Sequence, residues 1–413
     1  MTVLADERDS KPVGSAVAGP TGLVPPEPEI RKIKADPGAI THPLAAGRYQ
    51  SPLRYPGAKT GLSSVIGELI DAARGAAEIR NVDLLVEPFA GGASTSLRLV
   101  GDGTVERALL ADADPMVAAF WRVAAARTDE LVSRISDEHA QFVEPGGTVA
   151  LSRWDYWRAW EPAAGMSRKA RELELAVKCL FLNRTTFSGI LHGQAGPIGG
   201  RAQKSDYTIG CRFNLASIKE RLEYVGHLYD AGRIVDVWCG DWKATLTEVV
   251  SNYKTLIPNR VVAYLDPPYL SKSGKLYRKS FDVDPSRLGR DLEWTAGLQH
   301  EALAQYLRTE MRYRWILSYD FDSALMTDPA YYSAAQMHPT ADARQNEGVK
   351  QWRISKRVVQ LNYTASSRKG RGAARELLMT TLPPASVPIN GRLSAVDPKD
   401  MTPPTIPCRD DQI

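Results

Sequence analysis

The segment Asp266-Pro267-Pro268-Tyr269 places an acid, two prolines and an aromatic ring directly after the apolar run Val261–Leu265. We expect Val261–Leu265 to form a short buried strand, because its residues are mostly apolar and partly β-branched. The two prolines cannot continue a strand ladder, so Asp266 should stand at the carboxyl end of that strand. Ligands of open α/β sheets bind at this edge.

These four residues suit the chemistry of an amino group attached to a nucleobase. Such an amine is a poor nucleophile, because its lone pair is delocalised into the ring. The Asp266 carboxylate and the Pro267 carbonyl could both accept hydrogen bonds from the amine, which would direct its lone pair towards a methyl donor. Tyr269 offers a flat face for the base to stack on. A tight turn with Tyr269 in the core fits the four residues equally well.

A glycine turn is the second candidate site. The segment Asp83–Ser94 reads as a strand, a tight turn containing Gly91 and the start of a helix, which is the first βα turn of a nucleotide-binding sheet. A second strand ends at Asp112, about 20 residues later, where an acid would reach ribose hydroxyls. Asp114 competes for that role, although Pro115 after it also fits a helix cap.

Two further segments carry groups that suit a nucleotide. Lys59 precedes a predicted helix and could hold an anionic group together with backbone N–H groups, but the first glycine of a Walker A loop is absent. A capped helix with an exposed lysine fits Lys59 equally well. Asp241 and Trp242 follow a predicted strand and could accept from an adenine amino group and cover its ring. A helix cap and a core tryptophan are the alternatives.

Basic residues are unevenly distributed along the chain. Residues 151–235 hold thirteen Lys/Arg against eight Asp/Glu, and residues 348–375 hold eight Lys/Arg and no acid. On a chain of net charge +4 this clustering favours a polyanionic partner, with an ordinary solvated surface as the alternative. The polar and basic residues that we predict to contact phosphates and bases are Asn183, Arg184, Arg201, Lys204, Arg212, Asn214, Arg368, Lys369 and Arg371.

Composition excludes several classes of protein. The 413 residues, 43% of them hydrophobic, can bury a large core in one domain or two. No window approaches the ~20 apolar residues of a membrane span, and the acidic N-terminus is not a secretory signal, so we expect a soluble cytoplasmic protein. The four cysteines are widely spaced, without a C-x-x-C motif or adjacent histidines. We expect them to be reduced and mostly buried, and we predict no metal site.

The ends of the chain differ from its centre. Residues 1–50 are rich in proline, glycine and charge and should form a disordered arm, and the proline-rich residues 383–413 should form a disordered tail. Residues 117–182 read as helical, with a stripe of Trp154, Trp157 and Trp160 typical of a core. Later predicted elements are a helix over 294–308, a strand over 315–318 and a pair of strands over 358–363 and 376–379.

Taken in order, these motifs resemble the D12 class of adenine-specific DNA methyltransferases, the Dam-like group that uses S-adenosylmethionine. The resemblance runs from about residue 53 to 379. It rests on Arg-Tyr-Pro-Gly-Ala-Lys at 54–59, Glu-Pro-Phe-Ala-Gly-Gly-Ala at 87–93, Leu-Ala-Asp at 110–112, Leu-Asn-Arg-Thr-Thr-Phe-Ser-Gly at 182–189, Arg-Phe-Asn at 212–214, Gly-Asp-Trp at 240–242, Leu-Asp-Pro-Pro-Tyr at 265–269 and Glu-Leu-Leu at 376–378.

The resemblance implies an α/β fold, with the Rossmann-like sheet of a class I S-adenosylmethionine-dependent methyltransferase and an inserted, mainly helical DNA-recognition region. The catalytic domain would comprise 51–124 and 236–382, and the insertion 125–235. The family's cofactor-pocket positions fall on Tyr55, Lys59, Glu87, Phe89, Gly91, Asp112, Asp241 and Trp242. Its catalytic positions fall on Asp266, Pro267, Pro268 and Tyr269. The implied partner is double-stranded DNA, and the sequence leaves open whether a cognate restriction endonuclease exists.

The chain departs from the family pattern at two places. The first turn often has a second glycine where this chain has Ala93, and we expect a slightly altered approach of the following helix but an intact site. The second strand ends with two acids, so the ribose contact stays open between Asp112 and Asp114.

Two other functions fit the motifs. The methyl acceptor could be cytosine N4, RNA or a glutamine amide, although an Asp at position 266 resembles the adenine enzymes more than the cytosine N4 enzymes, which usually carry serine there. The chain could also be a DNA-binding protein on a degenerate methyltransferase scaffold. The intact motif at 266–269 and the intact cofactor motifs argue against that alternative.

Overall fold

The strands at the centre of the sheet are short, mostly apolar segments. Residues 51–54, 60–74, 79, 81–192, 195–204, 206–268, 298–332, 352–362, 373–397 and 399 are described by the structure, a computed structural model. Within them, Leu84–Glu87 and Val261–Leu265 are buried at every position. Strands buried on both faces read as continuous apolar runs, which is why these segments could be recognised in the sequence.

The strands are β1 (Leu84–Glu87), β2 (Ala108–Asp112), β3 (Ile234–Cys239), β4 (Val261–Leu265), β5 (Arg314–Asp320), β6 (Ser355–Asn362), β7 (Ala373–Thr380) and β8 (Leu393–Ser394). The α-helices are α1 (Thr60–Arg74), α2 (Ser94–Gly101), α3 (Pro115–Ala126), α4 (Thr128–Glu138), α5 (Gly147–Ala159), α6 (Arg168–Thr185), α7 (Leu215–Asp230), α8 (Trp242–Asn252), α9 (Leu298–Thr309) and α10 (Ala324–Thr327). A π-helical turn, His139–Val143, continues α4.

The eight described strands form one mixed sheet in the order β3-β2-β1-β4-β5-β7-β6-β8. The five strands from β3 to β5 are parallel, and β7, β6 and β8 pair antiparallel. β1 pairs with β2 on one side and with β4 on the other, so the strand order reverses at β1. The mixed α/β fold is confirmed. Open α/β sheets bind ligands at the carboxyl ends of their parallel strands, at the point where the strand order reverses.

Helices cover both faces of the sheet. Alternate strand residues such as Leu85 and Leu110 belong to a core shared with α1 and α3, whereas Val86 and Leu109 belong to a second core on the opposite face, which includes residues of α8 and α9. This alternation follows the two-residue period of a strand. A side chain at a strand end therefore faces one helical layer or the other according to its position.

The segment between β2 and β3 is mainly helical, as predicted for residues 117–182. Trp154 and Trp157 are buried and Trp160 packs against the same core, so the tryptophan stripe is a packing feature. Glu138 is fully buried and paired with Arg134 and Arg153. None of the helices within the described ranges is long and apolar enough to cross a membrane.

Two expectations need correction. The tail predicted to be disordered is ordered in part, because Val387 and Leu393 are buried and β8 pairs with β6. Residues 401–413 and the arm 1–50 lie outside the described residues. Of the three described cysteines only Cys179 is buried, while Cys211 and Cys239 are exposed. Neither the burial of the tail residues nor the exposure of Cys211 and Cys239 could be predicted from the neighbouring sequence, because both depend on tertiary packing.

Candidate active site

Three carboxylates converge at the carboxyl edge of the sheet. Glu87 ends β1, Asp112 ends β2, and Asp266 directly follows β4. Glu87 pairs with Leu110 across β1 and β2, and Asp112 lies two residues after Leu110. Because alternate residues share a face, Glu87 and Asp112 point to the face that carries Leu85 and Leu110. Leu85 pairs with Val262 across β1 and β4, so Val262 and the alternate residues after it, Tyr264 and Asp266, point to this same face.

Glu87 is a buried acid held by the start of α2. Its carboxylate accepts hydrogen bonds from the backbone N–H and the hydroxyl of Ser96. Burial raises the pKa of Glu87 to about 8, against the opposing effect of the Ser96 hydrogen bonds, and the charges of Asp266 and Asp112 raise it further. A positively charged ligand beside Glu87 would favour its ionised form.

Asp112 is oriented by two backbone donors. Its carboxylate accepts from the Gly91 N–H at 2.9 Å and from the Asp114 N–H at 2.8 Å. Burial raises the pKa of Asp112 to about 7, with Asp114 as the second cause. Asp114 caps α3 by accepting from the Met116 N–H at 2.9 Å, and its other oxygen contacts His192. Asp114 therefore acts as the cap of α3, as the alternative interpretation of the sequence had it, and Asp112 contacts the glycine turn.

The glycine turn between β1 and α2 is fixed from several sides. Gly91 has φ 44°, and its carbonyl accepts from the Trp121 indole N–H at 2.9 Å. Ala93 is buried with φ 45°, which is the left-handed region that favours glycine. Alanine adopts this conformation at a cost of roughly 1–2 kcal/mol. The expectation that the site stays intact despite Ala93 remains a prediction.

Asp266 is partly exposed at the end of β4, and the Pro267 that follows is buried. The Ser318 hydroxyl of β5 donates to Asp266 Oδ1 at 3.2 Å. Ser318 was missed in the sequence, because its position beside Asp266 depends on the register of β4 with β5. Tyr269, the predicted stacking residue, lies outside the described residues.

Among the other predicted cofactor residues, the geometry separates Asp241 from Trp242. Asp241 is exposed and caps α8 by accepting from the Ala244 N–H at 2.8 Å. Trp242 is buried, donates to Gln299 at 3.2 Å and packs edge-on against Tyr306 at 5.6 Å between ring centroids. It belongs to the core on the opposite face of the sheet from Leu85, so its position fits the core-tryptophan alternative. Phe89 is partly buried against the same core. Tyr55 and Lys59 lie outside the described residues.

Two predicted DNA contacts are buried in the structure. The Asn183 amide accepts from the Arg54 N–H at 2.7 Å and donates to the carbonyls of Arg54 and Gly189 at 2.8 and 3.0 Å. Asn183 is fully buried, and this geometry gives it a structural role in place of the expected DNA contact. Arg184 is also buried and donates to the Pro52 carbonyl. Desolvation and the nearby Arg221 and Arg54 lower its pKa to about 9.

The remaining described DNA candidates are exposed. Arg201 forms a two-pronged ion pair with Asp155, Lys204 and Arg212 are exposed, and Asn214 caps α7. Two exposed aromatic side chains, Phe187 (65%) and Tyr207 (64%), lie in the same segment and were not among the individual DNA contacts that we predicted. The sequence feature that indicates such a contact is an aromatic residue within a polar, basic segment. Arg368, Lys369 and Arg371 lie outside the described residues.

Part of the chain matches a known family. Residues 55–225 match the family model of the D12 class N6 adenine-specific DNA methyltransferase. The resemblance drawn from the motifs is confirmed for this D12 segment, which is less than half of the chain and includes Glu87, Gly91 and Asp112. The segment ends before β4, so Asp266 is outside it. No curated protein matches the chain. Within the described residues there is no group of three or more His, Cys, Asp or Glu that could hold a metal ion.

The raised pKa values of Glu87 and Asp112 predict how stability depends on pH. A carboxyl group whose pKa is higher in the folded than in the unfolded protein stabilises the fold while it is protonated, and this contribution is lost as pH rises through the folded value. We expect the melting temperature of the free protein to fall between pH 5 and about pH 8.5. Glu87→Gln, which cannot ionise, should reduce that fall.

Thermal unfolding followed by circular dichroism across that pH range measures the effect. Glu106→Gln is the matched control, because Glu106 precedes β2 at the opposite edge of the sheet. A melting temperature that rises from pH 5 to pH 8.5, or an equal fall in wild type and Glu87→Gln, contradicts the assignment.

Proposed function

We propose that this protein transfers a methyl group from S-adenosylmethionine to adenine N6 in double-stranded DNA, with Asp266 at the catalytic position. The observation that supports this most strongly is the placement of Asp266 beside the glycine turn and the Glu87–Asp112 pair at the reversal of strand order. The family match of residues 55–225 supports the reaction class.

The fold supports a class I, Rossmann-like arrangement. The parallel strands β3-β2-β1-β4-β5 reverse at β1, and each is joined to the next through helical segments. In this proposal residues 51–124 and 236–382 form the catalytic domain, and the helical residues 125–235 form an inserted recognition region. We also propose the cytoplasm, where the DNA of a cell without a nucleus lies, as the place of action.

The carboxyl groups and the glycine turn at this edge of the sheet fit S-adenosylmethionine, which when bound supplies an electrophilic methyl group. The molecule carries positive charge on its sulfonium and ammonium groups. Glu87 and Asp112 are carboxylates whose ionisation is disfavoured mainly by burial, and also by the charges of Asp266 and Asp112 at Glu87 and of Asp114 at Asp112. A cation would favour their charged forms. Asp112 would hold the ribose hydroxyls, and Gly91 would allow the backbone to approach the ligand. Tyr55, Lys59, Phe89 and Asp241 complete the proposed set, while Trp242 supports it from the core.

Asp266 and the Pro267 carbonyl would activate the acceptor amine. Both groups accept hydrogen bonds from the adenine amino group, so that its lone pair leaves conjugation with the ring and becomes nucleophilic. A base inside a duplex cannot reach a site at this sheet edge, so the target nucleotide would be flipped out of the helix. Tyr269 would stack on the flipped base.

The exposed basic and aromatic residues of the segment 187–214 would contact the DNA. Lys204 and Arg212 would neutralise backbone phosphates, and Phe187 and Tyr207 present apolar surface beside them. Arg201 would need to exchange its partner Asp155 for a phosphate. Asn183 and Arg184 would act indirectly, by holding the segment that starts at Ser51.

Replacing Asp112 with alanine should weaken the binding of S-adenosylmethionine by a hydrogen-bond-sized amount, ~1–3 kcal/mol. Isothermal titration calorimetry on the free protein measures this change. Asp114→Asn is the matched variant, because asparagine keeps the cap of α3. If Asp112→Ala binds normally and Asp114→Asn binds weakly, the ribose contact belongs to Asp114.

Replacing Asp266 with asparagine should lower the rate of methyl transfer about 100- to 1,000-fold, because the amide can present N–H to the amine in place of an acceptor. Single-turnover transfer from labelled S-adenosylmethionine to a DNA duplex, at saturating cofactor, measures the rate. Circular dichroism checks folding.

The control for this experiment is Asp328→Asn, an exposed acid that caps a turn after α10. Near-normal transfer by folded Asp266→Asn would remove the catalytic assignment. Identifying the methylated base by mass spectrometry separates adenine N6 from cytosine N4, and no methylation of DNA by the wild type would favour RNA, a glutamine amide or a non-catalytic role.

Removing the charges of Lys204 and Arg212 together should make DNA binding less sensitive to salt. Each lost phosphate contact lowers the slope of log affinity against log salt by about one. Fluorescence anisotropy of a labelled duplex at several salt concentrations gives the slope. Lys254→Ala is the control, because Lys254 lies in the connection to the amino end of β4, at the other edge of the sheet. An unchanged slope in the double variant excludes these two residues from the DNA surface.

A further inference from the structure

A buried hydroxyl lies against Asp266. Ser318 is fully buried in β5, and its Oγ is 3.2 Å from Asp266 Oδ1. The parallel register of β4 and β5 pairs Leu265 with Leu317, so the next residues along both strands lie side by side. Strand pairing therefore places the two residues side by side, and the hydrogen bond selects the Asp266 rotamer that points towards Ser318.

A second hydroxyl continues the contact away from the edge. The Tyr264 hydroxyl and Ser318 Oγ are 3.0 Å apart, and Tyr264 is buried. Tyr264 and Asp266 are two residues apart in the chain, so their side chains lie on the same face of the sheet. Ser318 stands between them on the neighbouring strand.

The protons on these groups fix the direction of both hydrogen bonds. In the ionised form that the proposed role requires, the Asp266 carboxylate only accepts, so Ser318 donates its single proton to Asp266. Ser318 Oγ can then only accept from Tyr264, which must donate. Burial, with Asp266 as the second cause, raises the pKa of Tyr264 well above its usual value, so the phenol keeps the proton that it donates.

We propose that Ser318 is a positioning residue for Asp266 and that Tyr264 orients Ser318. The two hydroxyls hold the carboxylate in the rotamer that presents it to the acceptor amine. This inference rests on the proposed function, because it assigns Asp266 the role of acceptor for that amine. A preorganised acceptor costs no reorganisation when the amine arrives, and that saving appears in the rate of the chemical step.

The test uses single-turnover methyl transfer by the full-length protein, with binding of S-adenosylmethionine and of DNA measured separately. Ser318→Ala should lower the transfer rate about 10- to 100-fold, as expected for a hydrogen bond to a charged group, and should leave both dissociation constants within about twofold. Ser318→Cys keeps the shape and a weak donor, and should restore part of the rate. Tyr264→Phe should lower the rate less than Ser318→Ala.

Ser386→Ala is the matched control. Ser386 is also buried, and its hydroxyl donates to the Pro383 carbonyl at 2.7 Å, far along the chain from Asp266. It should keep the wild-type rate. A loss of rate in Ser386→Ala equal to that in Ser318→Ala would show a general effect of removing a buried hydroxyl and would overturn the proposal.

A double-mutant cycle decides whether Ser318 acts through Asp266. In the Asp266→Asn background Ser318→Ala should cause a much smaller loss than it causes in the wild type, because the group that it positions is no longer a carboxylate. Equal losses in both backgrounds, or an unchanged rate in folded Ser318→Ala, would overturn the proposal.

A readout without turnover separates this proposal from the proposed function. The buried Tyr264 hydroxyl proton should give a slowly exchanging downfield resonance in the proton NMR spectrum, assigned by its loss in Tyr264→Phe. Ser318→Ala and Asp266→Asn should both shift it, whether or not the protein methylates DNA. If the wild type methylates no DNA but these shifts occur, the proposed function fails and the hydrogen-bond chain stands. If the resonance is insensitive to Asp266→Asn, the chain itself is wrong.

Discussion

The pairing of β1 between β2 and β4 is the constraint on which the rest of the site depends. Because all three strands run the same way, their carboxyl ends lie at one edge, and residues that are far apart in the sequence become neighbours there. The pleat then decides which of these residues face each other. Glu87, Asp112 and Asp266 share one face, whereas Trp242, after β3, packs into the opposite layer. The chemistry of the edge is thus set by backbone hydrogen bonds before any ligand arrives.

Gathering buried carboxyl groups at this edge makes their ionisation costly in the free protein. Burial and neighbouring carboxylates disfavour the ionised forms of Glu87 and Asp112, and the backbone N–H groups of Gly91, Asp114 and Ser96 offset only part of that cost. A ligand that brings positive charge would favour the ionised forms of both groups. The stability of the empty protein and the affinity for such a ligand are therefore opposed, as is common at binding sites.

The sequence predicted the strand ends well, because β1, β2 and β4 are continuous apolar runs that stop at an acid. It could not predict Ser318, which lies 52 residues from Asp266 and meets it only through the register of two strands. Asn183 shows a different limit. A polar residue in a basic segment can be an exposed DNA contact or a buried residue that hydrogen-bonds two backbone segments, and the sequence does not distinguish the two. The ordered residues after Leu382 were concealed by their prolines, because composition does not show that Val387 and Leu393 find a surface to pack on.

The hydrogen bonds of Asn183 also bear on how this protein could be recombined with its relatives. The amide joins the backbone of Arg54, which precedes α1, to Gly189 in the exposed aromatic segment, and Gly189 has no room for a side chain because Arg54 O lies 2.1 Å from where its Cβ would stand. Residues 51–54 are therefore part of the same physical unit as the helical region, although about 70 residues of the sheet and its helices separate them in the chain. A chimera that exchanges residues 125–235 alone would disrupt the contact between Arg54 and the helical region. A chimera that exchanges residues 51–54 together with 125–235 would keep this contact.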